Sequence, residues 1–137
     1  MPEFALTATA AAPVEEVWKL LFDPTRFPEW WAGIETVQVD APDAYTMWVD
    51  GYPDFPMPQQ LRTDHGSGRV TVSCQVSDID FSWQLAEAPQ GTEITARATV
   101  PPHESHRLDH VREMVAASLR ALTALAETPL DGAGRPR

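Results

Sequence analysis

From Ile34 to Val100 the sequence runs in short stretches of alternating apolar and polar residues, joined by links too short to hold a helix. A period of two marks a strand with one buried face. RVTVSCQV places Val70, Val72, Cys74 and Val76 on one side. DIDFSWQLAE adds Phe81, Trp83 and Leu85, and TEITARATV adds Ile94, Ala96, Ala98 and Val100. The links HGSG, SDID and APQG have the length and composition of hairpin turns. Strands joined in this way are antiparallel, which argues against a doubly wound parallel sheet.

Upstream, IETVQVD alternates around Ile34, Val37 and Val39 with one irregularity, and AYTMWVDGY sets Tyr45, Met47 and Val49 against Thr46 and Trp48. FPMPQQLRTD carries two prolines, so it reads as an edge, or as a loop followed by a strand that includes Leu61. The opening EFALTATAAA is a strand with Phe4, Leu6, Ala8 and Ala10 inward.

Two short helices separate that first strand from the rest. Pro13 suits a first helical position, and Glu15 and Glu16 suit the first turn. Val14, Val17, Trp18 and Leu21 follow at helical spacing, and Asp23-Pro24 ends the helix. TRFPEWW forms the second, with Thr25 as a cap or Pro28 in an early turn, and Gly33 permits a sharp exit. Phe27, Trp30 and Trp31 share one face of it. The expectation is that Trp30 anchors the segment to the body of the domain, while Trp31 forms a rim or lid.

A last helix is expected from about Pro102 to Thr128, roughly 37 Å long at about 1.5 Å per residue. Leu108, Val111, Val115, Leu119, Leu122 and Ala126 form its apolar stripe, and Asp109, Glu113, Arg120 and Glu127 its wet side. The predicted fold is therefore α+β. A strongly bent antiparallel sheet of about seven strands wraps around a long C-terminal helix, with two short helices after the first strand.

With 137 residues the chain fits one domain, set at residues 1–128, with 129–137 as a flexible tail. Twenty acidic residues against ten Lys or Arg give a formal net charge of -10. Such a surface repels phosphate backbones and anionic membranes, so neither nucleic acid nor membrane insertion is expected. The N-terminus lacks a basic start and an apolar run, and a cytoplasmic protein is the default. The lone Cys74 sits among valines and reads as a small buried hydrophobe.

The run A-A-P-V-E-E-V-W-K-L-L-F-D-P-T-R-F-P-E-W-W after an opening strand, then I-E-T-V-Q-V, and an amphipathic helix at the end, resemble a known group. The chain is similar to the START-like superfamily, also called Bet v 1-like or helix-grip. Within it the likeness is to the polyketide cyclase/dehydrase and lipid-transport group, over roughly residues 3–127. The resemblance implies the helix-grip fold and an apolar cavity between sheet and long helix. It implies a cavity more strongly than a reaction, because none of the matching residues is a catalytic signature.

Chemistry is sparse elsewhere. His103, His106 and His110 stand three and four residues apart, which reads as a solvated face, a pocket-facing acid or base, or a metal site. They lie nearly opposite the apolar stripe, and HxxxH alone lacks the glutamate of the zincins. His65 reads as an exposed turn residue, and Asp78 and Asp80 as a polar hairpin tip. No dinucleotide fingerprint, Walker motif or GxSxG elbow appears, and neither a cofactor nor a metal is expected. Of the polar groups near the core (Tyr45, Tyr52, Arg62, Arg69, Arg97 and Arg107), Arg69 and Arg97 should point outward.

The residues proposed to line a ligand site are Trp31, Met47, Val49, Leu61, Val72, Cys74, Phe81, Trp83, Ala96, Ala98, Val111 and Val115. Small Ala96 and Ala98 leave space beneath the helix, or large Trp and Phe offset them in a filled core. The expected partner is a hydrophobic small molecule, lipid-like or polycyclic, held by a monomer or homodimer. A cofactor-free polyketide cyclase/dehydratase (aromatase) and a protein-interaction domain without ligand are the alternatives.

Overall fold

The computed structural model describes residues 2–128, so the expected tail at 129–137 lies outside the described residues. The chain forms β1 (Glu3–Ala10), α1 (Val14–Leu21), a 3-10 turn (Pro24–Glu29), and then six strands in succession. These are β2 (Ile34–Ala41), β3 (Ala44–Val49), β4 (Met57–Asp64), β5 (Arg69–Cys74), β6 (Asp80–Ala88) and β7 (Gly91–Thr99). A second 3-10 turn (Pro102–Arg107) leads into α2 (Leu108–Glu127). The seven strands make one antiparallel sheet in the order β1-β7-β6-β5-β4-β3-β2, bent around α2. This is the expected helix-grip architecture.

Three local expectations need correction. First, α2 starts at Leu108 rather than Pro102. Prolines open a 3-10 turn there, and Arg107 leaves helical angles at φ -98, ψ 0. The α-helix is thus about 30 Å long. Second, β4 lies inside the sheet despite Pro58. The proline is tolerated because it lies beyond the last β4–β5 rung, Gln59↔Cys74. Third, Val76 is not inward. β5 ends at Cys74, Asp78 turns back at φ 62, and Val76 stands 49% exposed. The irregularity seen in IETVQVD is real, since β2 shifts register between Ile34 and Thr36 and again between Val39 and Ala41. Val39 is left on the exposed side.

The cap of the first 3-10 turn is Asp23, not Thr25, because its carboxylate accepts from Thr25 N at 3.0 Å. Gly33 makes the sharp exit at φ 93. Gly91 is sterically required. A Cβ there would lie 2.3 Å from Ala10 O and 2.7 Å from Ala12 N. Its neighbour Thr92 donates to Ala12 O at 2.7 Å and ties the β6–β7 hairpin to the start of α1.

The two halves of α2 meet different surroundings. Toward its C-terminus Leu119 and Leu122 are buried in a core with Val17, Leu21, Val70, Leu85 and Ile94. In that core small and large residues alternate across the strands. Ala98 pairs with Phe4 on one side and Phe81 on the other, and Ala96 with Leu6 and Trp83. Toward its N-terminus α2 borders open space.

Candidate functional site

A pocket of about 120 Å³ opens between the N-terminal half of α2 and the sheet. Trp31 to Ile34 close one side, Met47 and Val49 of β3 and Met57 of β4 another. Cys74, Ser77, Ile79 and Phe81 supply the β5–β6 end, and Arg107, His110, Val111 and Met114 the helical wall. Of the residues proposed from sequence, Trp31, Met47, Val49, Cys74, Phe81 and Val111 border this pocket. Leu61, Val72, Trp83, Ala96, Ala98 and Val115 do not, and all six sit in the packed core. The filled-core reading therefore applies to these six residues, and the open-space reading to the six that border the pocket.

Trp31 is a wall of the pocket rather than an exposed rim. It is 4% exposed and packs edge-on against Phe81 and Trp83, at centroid distances of 5.3 and 5.2 Å. Its indole N–H donates to Met114 Sδ at 3.3 Å. Trp30 anchors the segment as expected, donating to Leu20 O at 2.9 Å. The turn between them and β2 is held by Ser118, whose Oγ accepts from Ala32 N at 2.9 Å and donates to Met114 O at 2.8 Å.

Sequence reasoning missed Met114 and Ser118, which continue at a spacing of four from His110 on α2, and for His110 it names a pocket-facing role as one of three readings. The usable signal was the methionines. Met47, Met57 and Met114, three of the four methionines in the sequence, all border the pocket. Thioether side chains make an adaptable apolar wall. The histidines also separate. His103 and His106 are exposed, and His103 lies 3.8 Å from Asp78 Oδ2, whereas His110 is exposed to solvent yet borders the pocket. The change from 3-10 to α geometry at Arg107 shifts the helical phase that set all three on one outer face.

The pocket continues outward into an open groove of about 490 Å³, and Val49, Met57, Ser77, Arg107 and His110 border both. Tyr52, Phe55 and Val76 line the groove and are 62%, 59% and 49% exposed. Arg107 is held by Glu104 at 3.1 Å. Arg69 and Arg97 face solvent, as expected.

A row of polar residues runs beside the pocket across three strands. Gln59 Nε2 donates to Cys74 Sγ at 3.2 Å, and Tyr45 lies opposite Gln59 in the β3–β4 register. Burial pushes the Tyr45 hydroxyl well above the usual tyrosine range, with the neighbouring Cys74 adding to it, so the phenol stays protonated. Neither Tyr45 Oη nor Trp83 Nε1 has a hydrogen-bond partner among the described residues. There is also no group of three His, Cys, Asp or Glu placed to hold a metal, and no helix long and apolar enough to cross a membrane, among those residues.

Solved structures share this fold. A protein from Bacillus thuringiensis is 16% identical, with 93% of this chain and 100% of that chain covered and a TM-score of 0.73. One from Nitrosomonas europaea is 20% identical over 90% and 92% of the two chains, with a TM-score of 0.70. The di-domain ARO/CYC BexL from the BE-7585A biosynthetic pathway is 15% identical, with 93% of this chain, 47% of that chain and a TM-score of 0.75. At these identities the likeness establishes the fold alone. No curated protein matches the sequence. The profile of one family, polyketide cyclase / dehydrase and lipid transport, matches residues 1–128. By that match over nearly its whole length, the chain belongs to the polyketide cyclase / dehydrase and lipid transport family.

Proposed function

We propose that the protein binds a small hydrophobic ligand, lipid-like or polycyclic, in the pocket beneath the N-terminal half of α2. The observation that carries this reading is the continuity of the pocket with the groove. A pocket walled by Trp31, Phe81 and three methionines opens past Arg107 and His110 into a groove that Tyr52, Phe55 and Val76 line. The inner space is close to the roughly 150 Å³ of an apolar cavity that admits benzene, and the groove falls in the range of about 300–1,000 Å³ usual for ligand sites. A ring would therefore fill the pocket and a larger body would lie across the groove. Burial of apolar area, near 25 cal/mol per Å², supplies the driving force.

Native mass spectrometry of protein purified from its own host tests this. A stoichiometric co-purifying small molecule supports it. Repeated absence, with no change in tryptophan fluorescence on a lipid and polyketide panel, would sink it.

A second reading is cofactor-free cyclisation or dehydration of a poly-β-ketone, and BexL, which shares the fold, is a di-domain ARO/CYC protein. Arg107 and His110 at the junction of pocket and groove favour it, since they are the groups able to polarise a carbonyl or move a proton there. The inner walls offer only Cys74 and Ser77 as further polar side chains, which favours binding as the first reading.

A further inference from the structure

We propose that the ligand is an acid, with a ring-sized apolar group in the inner pocket and a carboxylate or enolate oxygen on Arg107; this rests on the binding reading above. In a chain with twice as many acidic as basic residues, the one permanently charged side chain among the described residues that border the inner pocket is a cation, Arg107. It borders the groove as well, so the side chain stands where the inner pocket meets the groove. Among the described residues no carboxylate borders the inner pocket, and Glu104 borders only the groove.

Arg107 is held but not saturated. Its Nη1 donates to Glu104 Oε1 at 3.1 Å, and Nε and Nη2 make no hydrogen bond to the described residues. A guanidinium has five N–H donors in a rigid fork, which leaves the planar edge needed to grip two oxygens of an acid. The side chain is 40% exposed on the open side, so an incoming anion reaches it without unfolding the helix start. His110, three residues on, borders both compartments and adds a donor. The apolar part of the ligand then lies against Trp31, Phe81 and Met114, away from water. An acid is preferred over a neutral isostere because a charge-assisted pair at a partly dry site is about twice as strong as a neutral hydrogen bond.

The test uses a matched pair of probes, a 4-alkylbenzoate and the corresponding 4-alkylbenzamide, titrated into the full chain by calorimetry. The benzoate is expected to bind about ten-fold tighter or more. Arg107→Gln should abolish that preference, weakening benzoate binding about ten-fold or more and benzamide binding by clearly less. Glu104→Gln, which frees the guanidinium, should strengthen benzoate binding. Equal affinity of both probes for the wild-type protein, or an acid preference that survives Arg107→Gln, overturns the inference and leaves the binding reading standing. Failure of both probes and of the lipid and polyketide panel overturns the binding reading and the inference with it.

Discussion

Trp30 and Trp31 stack on one another, with ring centroids 5.4 Å apart and planes 23° from parallel. Adjacent residues on a strand would point apart, but here the 3-10 turn ends at Glu29 and Trp30 caps it at φ -139, ψ -24. Both rings then meet Trp83 edge-on, at 5.0 and 5.2 Å. The doublet is one aromatic block that joins the turn, the sheet and α2. Trp30 carries the anchoring hydrogen bond to Leu20 O, and its side is the packed one. Trp30→Phe keeps one aromatic ring but loses the rest of the indole, leaving that carbonyl without the indole donor and a gap behind. It should lower stability by about 1–3 kcal/mol in urea denaturation, with an unchanged m-value.

Ser118 is wholly buried on the face of α2 that the apolar stripe would assign to carbon. Its hydroxyl is the partner of Ala32 N, which no other bond satisfies among the described residues. Ser118→Ala strands that N–H next to the pocket and should cost about 1–3 kcal/mol. Amide hydrogen exchange gives the sharper readout. Protection should fall at residues 31–34 and stay unchanged in β6 and β7; a uniform loss across the sheet would contradict this role.

These contacts explain what the sequence could and could not convey. The sheet was legible because Val70, Val72, Phe81, Trp83, Ile94 and Ala96 alternate without exception, and one buried face dictates register. The place of the pocket was not. Ala96 and Ala98 look like free space in a one-dimensional pattern, but rings from neighbouring strands fill it: Phe4 and Phe81 flank Ala98, and Trp83 lies opposite Ala96. The pocket instead lies beside residues that hide in a hydrophobicity pattern. His110 and Ser118 are polar, and Arg107 belongs to a 3-10 turn whose phase differs from that of the helix after it.

Tyr45 gives a test of the polar row beside the pocket. Its hydroxyl is buried with no partner among the described residues, and burial of this kind costs about 1–3 kcal/mol. Tyr45→Phe removes the hydroxyl and keeps the ring, which packs edge-on against Phe27 at 5.5 Å. The variant should be as stable as the parent or more stable, by up to about that amount, in thermal and chemical denaturation. A loss above about 1 kcal/mol would mean that the hydroxyl is satisfied after all.

Trp31 separates the wall from the lid. A lid residue at an exposed rim could be truncated with little effect on folding, and the change would appear in affinity. Trp31 is instead 4% exposed, packed between Phe27, Trp30, Phe81 and Trp83, and bonded to Met114. Trp31→Ala should therefore cost about 3–5 kcal/mol of stability. The same truncation removes an indole from the pocket wall and enlarges the pocket toward the core. Its ligand preference should move from single-ring to larger fused-ring compounds, as measured by relative dissociation constants on a size-graded panel. The surrounding side chains will recover part of the space, since Met114 and Met47 can rotate into it. Trp31→Phe should keep most of the stability and show an intermediate size preference. An unchanged melting temperature in Trp31→Ala, with affinity reduced equally for all sizes, would return the residue to the rim.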